Sequence, residues 1–153
     1  MKYYVVQEVT FPENVFGARR YAIAYTCWKG RLLVSAKILL VDDDVYVVRY
    51  LKKALEQAGY HVSGTTSGKQ AQALMEEEKP DLLILDLNMP APDGFDLLRI
   101  EHAKFPYLRI IVISGYLEGA LLEAARIFGA IATLQKPVSP VDLVNKVREV
   151  LGR

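Results

Sequence analysis

The chain has 153 residues, of which 52% are hydrophobic and 24% are charged, a composition typical of one compact globular domain with little room for a second. A formal net charge of +1 gives no indication of binding to nucleic acid or to a membrane surface. The single cysteine, Cys27, excludes an internal disulfide, and no apolar run approaches the roughly 18 residues of a membrane-spanning helix. We therefore expect a cytoplasmic protein that neither crosses a membrane nor contacts nucleic acid directly.

Residues 1–36 differ in composition from the rest of the chain. They carry a net charge of +3 and seven of the 15 aromatic residues, whereas residues 37–153 carry a net charge of −2. Two stretches rich in β-forming residues, 3–11 and 21–28, are separated by turn-forming residues at 12–17, which favours a hairpin. We interpret residues 1–36 as an N-terminal extension and residues 37–153 as the functional domain.

Three interpretations of this extension remain open. It is a small structured element that packs on the domain or on a partner, or it is a disordered tail, although its aromatic content argues against disorder. In the third interpretation, translation starts from a valine-type codon at Val34 and the preceding residues do not belong to the natural product. Peptides from residues 1–30, detected in protein expressed from the native gene, would exclude that third interpretation.

After this extension, short apolar runs typical of strands buried on both faces alternate with stretches in which apolar residues recur at helical spacing. The predicted strands are residues 38–41, 61–65, 82–85, 109–113 and 131–135. A helix is predicted after each strand, the fourth of them over residues 117–128. Five strand–helix units predict an α/β fold with a parallel sheet covered on both faces. The common strand order for five strands is 2-1-3-4-5, that of the doubly wound, flavodoxin-like (βα)5 fold.

The predicted helix ends have recognisable signals. Asp44, Ser67 and Ser139 are predicted N-caps, because their side-chain oxygens can accept hydrogen bonds from the first helical N–H groups. Pro140 is suited to the first position of the last helix, and Gly59 to the position just beyond the end of the first. The first helix should bury one apolar face, made of Val45, Val48, Leu51, Leu55 and Ala58.

Carboxylates follow two strands that the predicted order makes neighbours. Asp42 and Asp43 come directly after the first strand, and Asp86 after the third. Ligands of open parallel sheets bind outside the carboxyl ends of the strands, here between strands one and three, so we expect the three carboxylates to meet in one crevice. Each pair at ~4 Å costs about 1 kcal/mol in water and about 4 kcal/mol near a protein surface, a repulsion that a hard divalent cation such as Mg²⁺ relieves.

Two further polar residues end strands at the same edge of the sheet, Ser114 after the fourth strand and Lys136 after the fifth. A cation, an ammonium and a hydroxyl placed around one point suit the oxygens of a phosphoryl group. Asp86, exposed on one side in this arrangement, is the natural nucleophile. The alternative is an ordinary α/β domain with polar loops. Each residue alone supports that alternative about as well, but the combination at four strand ends does not.

The domain resembles the receiver domain of bacterial two-component response regulators over its whole length. The matching stretches are residues 37–44, 83–90, 93–94, 112–115, 129–130 and 136–137. The resemblance implies that Asp86 accepts a phosphoryl group from a sensor histidine kinase or a phosphotransfer protein. The phosphorylated domain would then change which downstream protein it binds.

The same resemblance implies a role for each residue of the cluster. Magnesium would be bound by the carboxylates of Asp43 and Asp86 and by the backbone carbonyl of Asn88. Asp42 would act through metal-bound water. The phosphoryl oxygens would be bound by the side chains of Ser114 and Lys136.

The resemblance also implies a switch region made of Ser114, Thr133 and Tyr116. Receiver domains commonly have an aromatic residue three positions before the lysine, where this chain has Thr133, so the usual aromatic output is in doubt. The signal would instead pass through the loop after strand four and the face of the fourth and fifth helices. Whether that face also forms a homodimer stays open. We predict that Tyr116 screens the acyl phosphate from water and slows its hydrolysis.

Two other functions compete with this interpretation. A magnesium-dependent phosphohydrolase with an aspartyl-phosphate intermediate needs an acid/base carboxylate two residues after the nucleophile, where this chain has Asn88. A pure interaction module that never binds phosphate is disfavoured, because the acidic, hydroxyl and amine groups are all present. The sequence after Lys136 has room for one helix, so we expect a stand-alone receiver, or one cut from a larger chain. It would show at most slow self-catalysed phosphorylation and dephosphorylation.

Overall fold

The computed structural model describes residues 3–9, 21–28, 31–33, 35–90, 93–115 and 120–152. The chain divides into two compact units, Met1–Ser35 and Ala36–Arg153. The first unit contains an antiparallel sheet in the order β1-β2-β3, with β1 at Tyr3–Val9, β2 at Tyr21–Trp28 and β3 at Arg31–Leu33. The predicted turn at residues 12–17 lies outside the described residues.

The second unit alternates strands and helices. Its elements are β4 (Lys37–Val41), α1 (Val45–Gln57), β5 (His61–Thr65), α2 (Gly68–Glu78), β6 (Leu82–Asp86), α3 (Gly94–Lys104), β7 (Arg109–Ser114), α4 (Ala120–Ile127), β8 (Ala132–Gln135) and α5 (Pro140–Leu151). The five strands are parallel and lie in the order β5-β4-β6-β7-β8. Counted within this unit the order is 2-1-3-4-5, so the predicted flavodoxin-like topology is confirmed.

Two apolar layers cover the two faces of this sheet. Alternate residues of the central strands, such as Leu83 and Leu85, pack with α2, α3 and α4, whereas Leu82 and Ile84 pack with α1 and α5. All five residues of β6 are buried, as expected of a central parallel strand. Burying one such leucine or isoleucine contributes about 1.5–3 kcal/mol, so this strand is firmly held and its last residue has a defined position.

The helix ends agree with most of the predictions. The side chains of Asp44, Ser67 and Ser139 each accept a hydrogen bond from a backbone N–H two or three residues later. Gly59 follows α1 with a φ of +94°, which a glycine adopts without strain.

The inclusion of Val45 in the buried face of α1 is wrong, because its side chain is 42% exposed. Val45 opens the helix at the edge where the strands end, and the sheet does not cover it.

Among the described residues, no helix has both the length and the apolar character needed to cross a lipid bilayer.

Candidate functional site

The carboxyl ends of β4 and β6 bring three carboxylates together. These strands are hydrogen-bonded neighbours with Val41 opposite Leu85, so the residues that follow leave the sheet side by side. Asp42 and Asp86 are buried, and Asp43 is exposed. Oxygen atoms of the three carboxylates all lie within 4.8 Å of one another. The structure thus places them in the single crevice that the strand order predicts.

Lys136 enters the same crevice from the end of β8. Its Nζ atom lies 2.8 Å from Oδ2 of Asp42 and 2.7 Å from Oδ2 of Asp86. Its backbone N–H donates a hydrogen bond to the carbonyl oxygen of Ser114 at 2.9 Å, which holds the start of the β8–α5 connection against the end of β7. One ammonium group therefore bridges two buried carboxylates that come from neighbouring strands.

The burial of these groups shifts their protonation equilibria. Burial raises the pKa of Asp42, although hydrogen bonds from Lys136 and from the backbone N–H of Asp44 act in the opposite direction. Burial by itself lowers the pKa of Lys136, but Asp42 and Asp86 outweigh it, so the pKa of the lysine is raised. The ammonium group therefore stays protonated at physiological pH and remains a counter-charge for the two carboxylates.

The turn after β6 folds over the side chain of Asp86. The backbone N–H of Asn88 donates to Oδ1 of Asp86 at 3.0 Å. The Oδ1 atom of the Asn88 side chain accepts a hydrogen bond from the hydroxyl of Ser114 at 3.4 Å. Ser114 is buried at the end of β7, so this turn connects Asp86 to the neighbouring strand end.

Our expectation that Asp86 is exposed on one side is wrong, because the residue is only 1% exposed. Its two oxygens contact Lys136 on one side and the backbone of Asn88 on the other. A ligand from solvent therefore reaches the carboxylate of Asp86 only after the side chains around it rearrange. The side chain of Lys136 is 28% exposed, so it has a path by which it can move toward solvent.

Of the two other predicted switch residues, the structure describes only one. Thr133 is half-buried in β8 and pairs with Val112 of β7. Tyr116 lies outside the described residues. The roles predicted for these two residues therefore stay predictions.

Two residues that hold the site, Thr65 and Gly94, are not among the predicted site residues. Thr65 is buried at the end of β5, where its carbonyl oxygen accepts the backbone N–H of Asp42 at 3.3 Å and its hydroxyl accepts that of Ser67 at 3.1 Å. Gly94 begins α3 so close to β6 that a Cβ atom there would collide with the backbone of Asp86 and Leu87. A glycine shortly after a strand-ending aspartate is the signal that identifies this close approach.

The donor set fits a hard divalent cation. Asp42, Asp43 and Asp86 together with Lys136 carry a formal charge of −2 when all four are ionised. Magnesium prefers oxygen ligands at about 2.0–2.1 Å, so oxygens on opposite sides of the ion are about 4.2 Å apart. The 4.8 Å span of the three carboxylates permits this separation. Both the charge and the spacing thus agree with the ligand chemistry of Mg²⁺.

Comparison with known proteins identifies the family. Residues 38–148 match the family model for the response regulator receiver domain. The chain is 38% identical over 115 residues to the response regulator receiver protein CpdR of Brucella abortus. This match covers 75% of this chain and 96% of that protein. It is 34% identical over 121 residues to the transcriptional regulatory protein PdtaR of Mycobacterium tuberculosis, a match over 78% of this chain and 58% of that protein.

A solved structure agrees with these relatives. The CheY-like receiver domain protein from Methanospirillum hungatei superposes with a TM-score of 0.74 and 32% identity, covering 77% of this chain and 94% of that chain. Proteins of this family are signalling regulators and not enzymes, and they interact with kinases or phosphotransfer proteins and with downstream partners. They generally bind Mg²⁺ at an acidic pocket. The chain belongs to the response regulator receiver domain family of two-component signal transduction.

Proposed function

We propose that Asp86 accepts a phosphoryl group from a sensor histidine kinase or a phosphotransfer protein, with Mg²⁺ as cofactor, and that phosphorylation changes which partner protein the domain binds. The observation that carries the proposal is the convergence of Asp42, Asp43 and Asp86 within 4.8 Å, with Lys136 in direct contact with two of them. The function is assigned to residues 37–153, and residues 1–36 are interpreted as an extension.

The transfer is a substitution at phosphorus. A carboxylate oxygen of Asp86 attacks the phosphorus of a donor phosphohistidine, and a P–O bond forms as the P–N bond breaks. The leaving imidazole keeps the electron pair of the broken bond and takes up a proton from solvent. The product is an acyl phosphate on Asp86. Its formation requires Lys136 to leave its present contact at 2.7 Å from Oδ2.

In this proposal, two side chains of this chain and a bound Mg²⁺ would bind the transferred group. The Nζ atom of Lys136 is the nearest cationic donor and would move from the carboxylate oxygen to a phosphoryl oxygen. The hydroxyl of Ser114, at the neighbouring strand end, would donate to a second oxygen, which requires it to exchange its bond to Asn88. The carboxylates of Asp43 and Asp86 and the backbone carbonyl of Asn88 would hold Mg²⁺, with Asp42 acting through a water molecule.

Magnesium, when bound, neutralises negative charge on the phosphoryl oxygens during the transfer. The burial of Asp42 and Asp86 makes this neutralisation more important, because carboxylates in a low-dielectric site repel an incoming anion more strongly than exposed ones.

The proposed output starts at Ser114. Movement of its hydroxyl toward the phosphoryl group would pull on the connection from β7 to α4. Thr133, which is half-buried next to β7, leaves less side chain to move than the aromatic residue common in this family. We therefore assign the output surface to that connection and to α4 and α5, where it would bind a downstream protein or a second copy of the chain.

Acetyl phosphate and MgCl2 provide the test, with intact mass spectrometry of the full chain as the measurement. We expect one added phosphoryl group in the unaltered protein, none in Asp86→Asn, and normal labelling in Asp96→Asn, which alters an exposed aspartate of α3. Removal of Mg²⁺ by a chelator should prevent labelling. Labelled Asp86→Asn would exclude Asp86 as the acceptor, and rapid multiple turnover without accumulation of label would instead indicate a phosphohydrolase.

A further inference from the structure

A second pocket lies at the edge of the sheet opposite Asp86. It has a volume of about 390 Å³, within the range of small-molecule sites. Its lining residues come from the end of α2 and from the connection between α3 and β7: Met75, Lys79, Pro80, Asp81, Lys104, Phe105, Pro106, Tyr107, Leu108 and Arg109. These residues lie at or before the first residues of β6 and β7, whereas the carboxylate cluster lies at the other ends of the strands, so this amino-edge pocket is separate from the site described above.

The charge of the amino-edge pocket is positive. Lys79, Lys104 and Arg109 line it together with one acidic residue, Asp81, whose carboxylate already accepts the backbone N–H of Lys37 at 2.8 Å. In the described part of the chain, no acidic side chain lies within ion-pair distance of Lys79 or Arg109. Two cations are therefore available to an anionic ligand that enters the pocket.

The backbone of Lys79 gives an independent indication. Its φ is +49°, and no other non-glycine residue has a positive φ in the part of the chain that the structure describes. This position caps the end of α2, where glycine or asparagine is the usual residue because a Cβ atom is disfavoured there. A lysine thus occupies a strained backbone position in the lining of the pocket, and strain of this kind is concentrated at functional sites.

Aromatic side chains supply part of the apolar lining of the pocket. Phe105 and Tyr107 line it, and Tyr107 is 98% exposed, so one face of its ring is free to stack. Pro80 and Pro106 restrict the backbone on both sides, which favours a preformed shape. A ligand with a planar ring and a strongly anionic group matches both features.

We propose that the amino-edge pocket binds a nucleoside monophosphate or a compound of that class. The base stacks on Tyr107, since base–aromatic stacking is largely independent of sequence. The phosphate is bound by Lys79 and Arg109, because a guanidinium fork and an ammonium are suited to phosphate oxygens. The proposal does not rest on phosphorylation of Asp86, so the Asp86→Asn variant should bind the same ligand with unchanged affinity.

The test is an NMR titration of the ¹⁵N-labelled full chain with AMP. We expect shifts of the amides of residues 79–81 and 104–109, excluding the prolines, with a dissociation constant near or below about 1 mM. Adenosine and inorganic phosphate, each alone, should bind at least about tenfold more weakly. The absence of these shifts with AMP, or equal binding of inorganic phosphate, would overturn the proposal, as would tight binding of an acidic peptide at the same amides without any response to AMP.

A Lys79→Gly variant separates binding from folding. It removes one ammonium and places the residue best suited to a positive φ at this position, so the unfolding temperature should stay the same or rise. AMP binding should nevertheless weaken by about tenfold, the scale of one lost charge-assisted contact. The matched control is Lys69→Gln, which alters an exposed lysine of α2 outside the pocket and should leave AMP affinity unchanged. An equal loss of affinity in both variants would show that only general charge is involved and would contradict the assignment.

Discussion

The ammonium group of Lys136 lies 2.7 Å from Oδ2 of Asp86, although 50 positions separate the two residues in the chain. Lys136 follows β8 and Asp86 is the last residue of β6, and these two strands are not neighbours, because β7 lies between them. The contact therefore depends on the whole sheet and on the connections at its carboxyl edge. It also explains why a carboxylate is tolerated at an almost fully buried position.

Replacing Lys136 by methionine tests the energetic role of this contact. The variant keeps an unbranched side chain but leaves Asp42 and Asp86 facing each other without a buried counter-charge. We expect the free energy of unfolding at pH 7 to fall by about 3–5 kcal/mol, the usual cost of breaking a buried ion pair from one side. Added Mg²⁺ should restore part of the loss, since it supplies the missing positive charge. Urea denaturation with and without MgCl2 measures both effects.

The control for this experiment is Lys146→Met, which breaks an ion pair whose partner, Glu149, is 70% exposed. Exposed pairs contribute about 0–1 kcal/mol, so this variant should be nearly as stable as the unaltered protein and should gain nothing from Mg²⁺. Equal losses in the two variants would mean that burial of the Lys136 pair has no special importance.

The exposed carboxylate of the cluster allows metal binding to be tested without unfolding the protein. Asp43 is exposed but lies near two other carboxylates, so in the absence of Mg²⁺ the unfolding temperature of Asp43→Asn should be unchanged or higher, because the variant relieves part of their repulsion. The rise in unfolding temperature on adding MgCl2 should become much smaller, because one oxygen ligand loses its charge. Thermal denaturation over a series of MgCl2 concentrations gives this comparison. A full response of the variant to Mg²⁺ would exclude Asp43 as a ligand.

Gly94 and Gly115 form a matched pair of positions around the site. A Cβ atom at Gly94 would collide with the backbone of Asp86 and Leu87, whereas at Gly115 it would meet only the side-chain nitrogen of Asn88, at 3.9 Å. We expect Gly94→Ala to destabilise the fold by about 1–3 kcal/mol through overpacking and to slow labelling of Asp86 by acetyl phosphate. Gly115→Ala should be stable. Chemical denaturation and labelling rates distinguish the two, and a fully stable Gly94→Ala variant would contradict the close approach.

Glu101 on α3 introduces a pH dependence of stability that is unrelated to the carboxylate cluster of Asp42, Asp43 and Asp86. It is 1% exposed, and neither carboxylate oxygen has a hydrogen-bond partner among the described residues. Burial raises its pKa from the ordinary value of 4.5, with Glu76 acting in the same direction and Lys104 opposing it. The folded state thus binds this proton more tightly than the unfolded state. Stability is therefore lost as the pH rises from about 4.5 through the folded-state pKa.

Replacement of Glu101 by methionine should remove that loss. At pH 7 the variant should be more stable than the unaltered protein by about 1–2 kcal/mol, because no unpaired carboxylate has to be buried. The difference should shrink as the pH falls toward 4.5, where the carboxyl group is protonated in the folded state. Urea denaturation across this pH range measures it. Glu77→Met, at an exposed position of α2, is the control and should show no such trend.

Local sequence patterns predicted most of the fold, because they depend on neighbours along the chain. Apolar runs identified the strands, and the alternation of elements led to the strand order that the sheet adopts. The capping side chains of Asp44, Ser67 and Ser139 lie where their residue types indicated. The prediction for Val45 was wrong, since helical spacing defines a face but not how far the neighbouring sheet extends along it.

By itself, the sequence determined the family, the topology and the set of polar residues at the carboxyl edge. Each of these follows from residue types at strand ends, and parallel strands necessarily present those ends together. Only the tertiary structure decided that Asp86 is almost fully buried under contacts with Lys136 and Asn88, that the carboxylate of Glu101 has no hydrogen-bond partner among the described residues, and that a basic pocket forms at the opposite edge. Exposure and side-chain contacts depend on how elements distant in the chain pack against each other, and no local pattern contains that information.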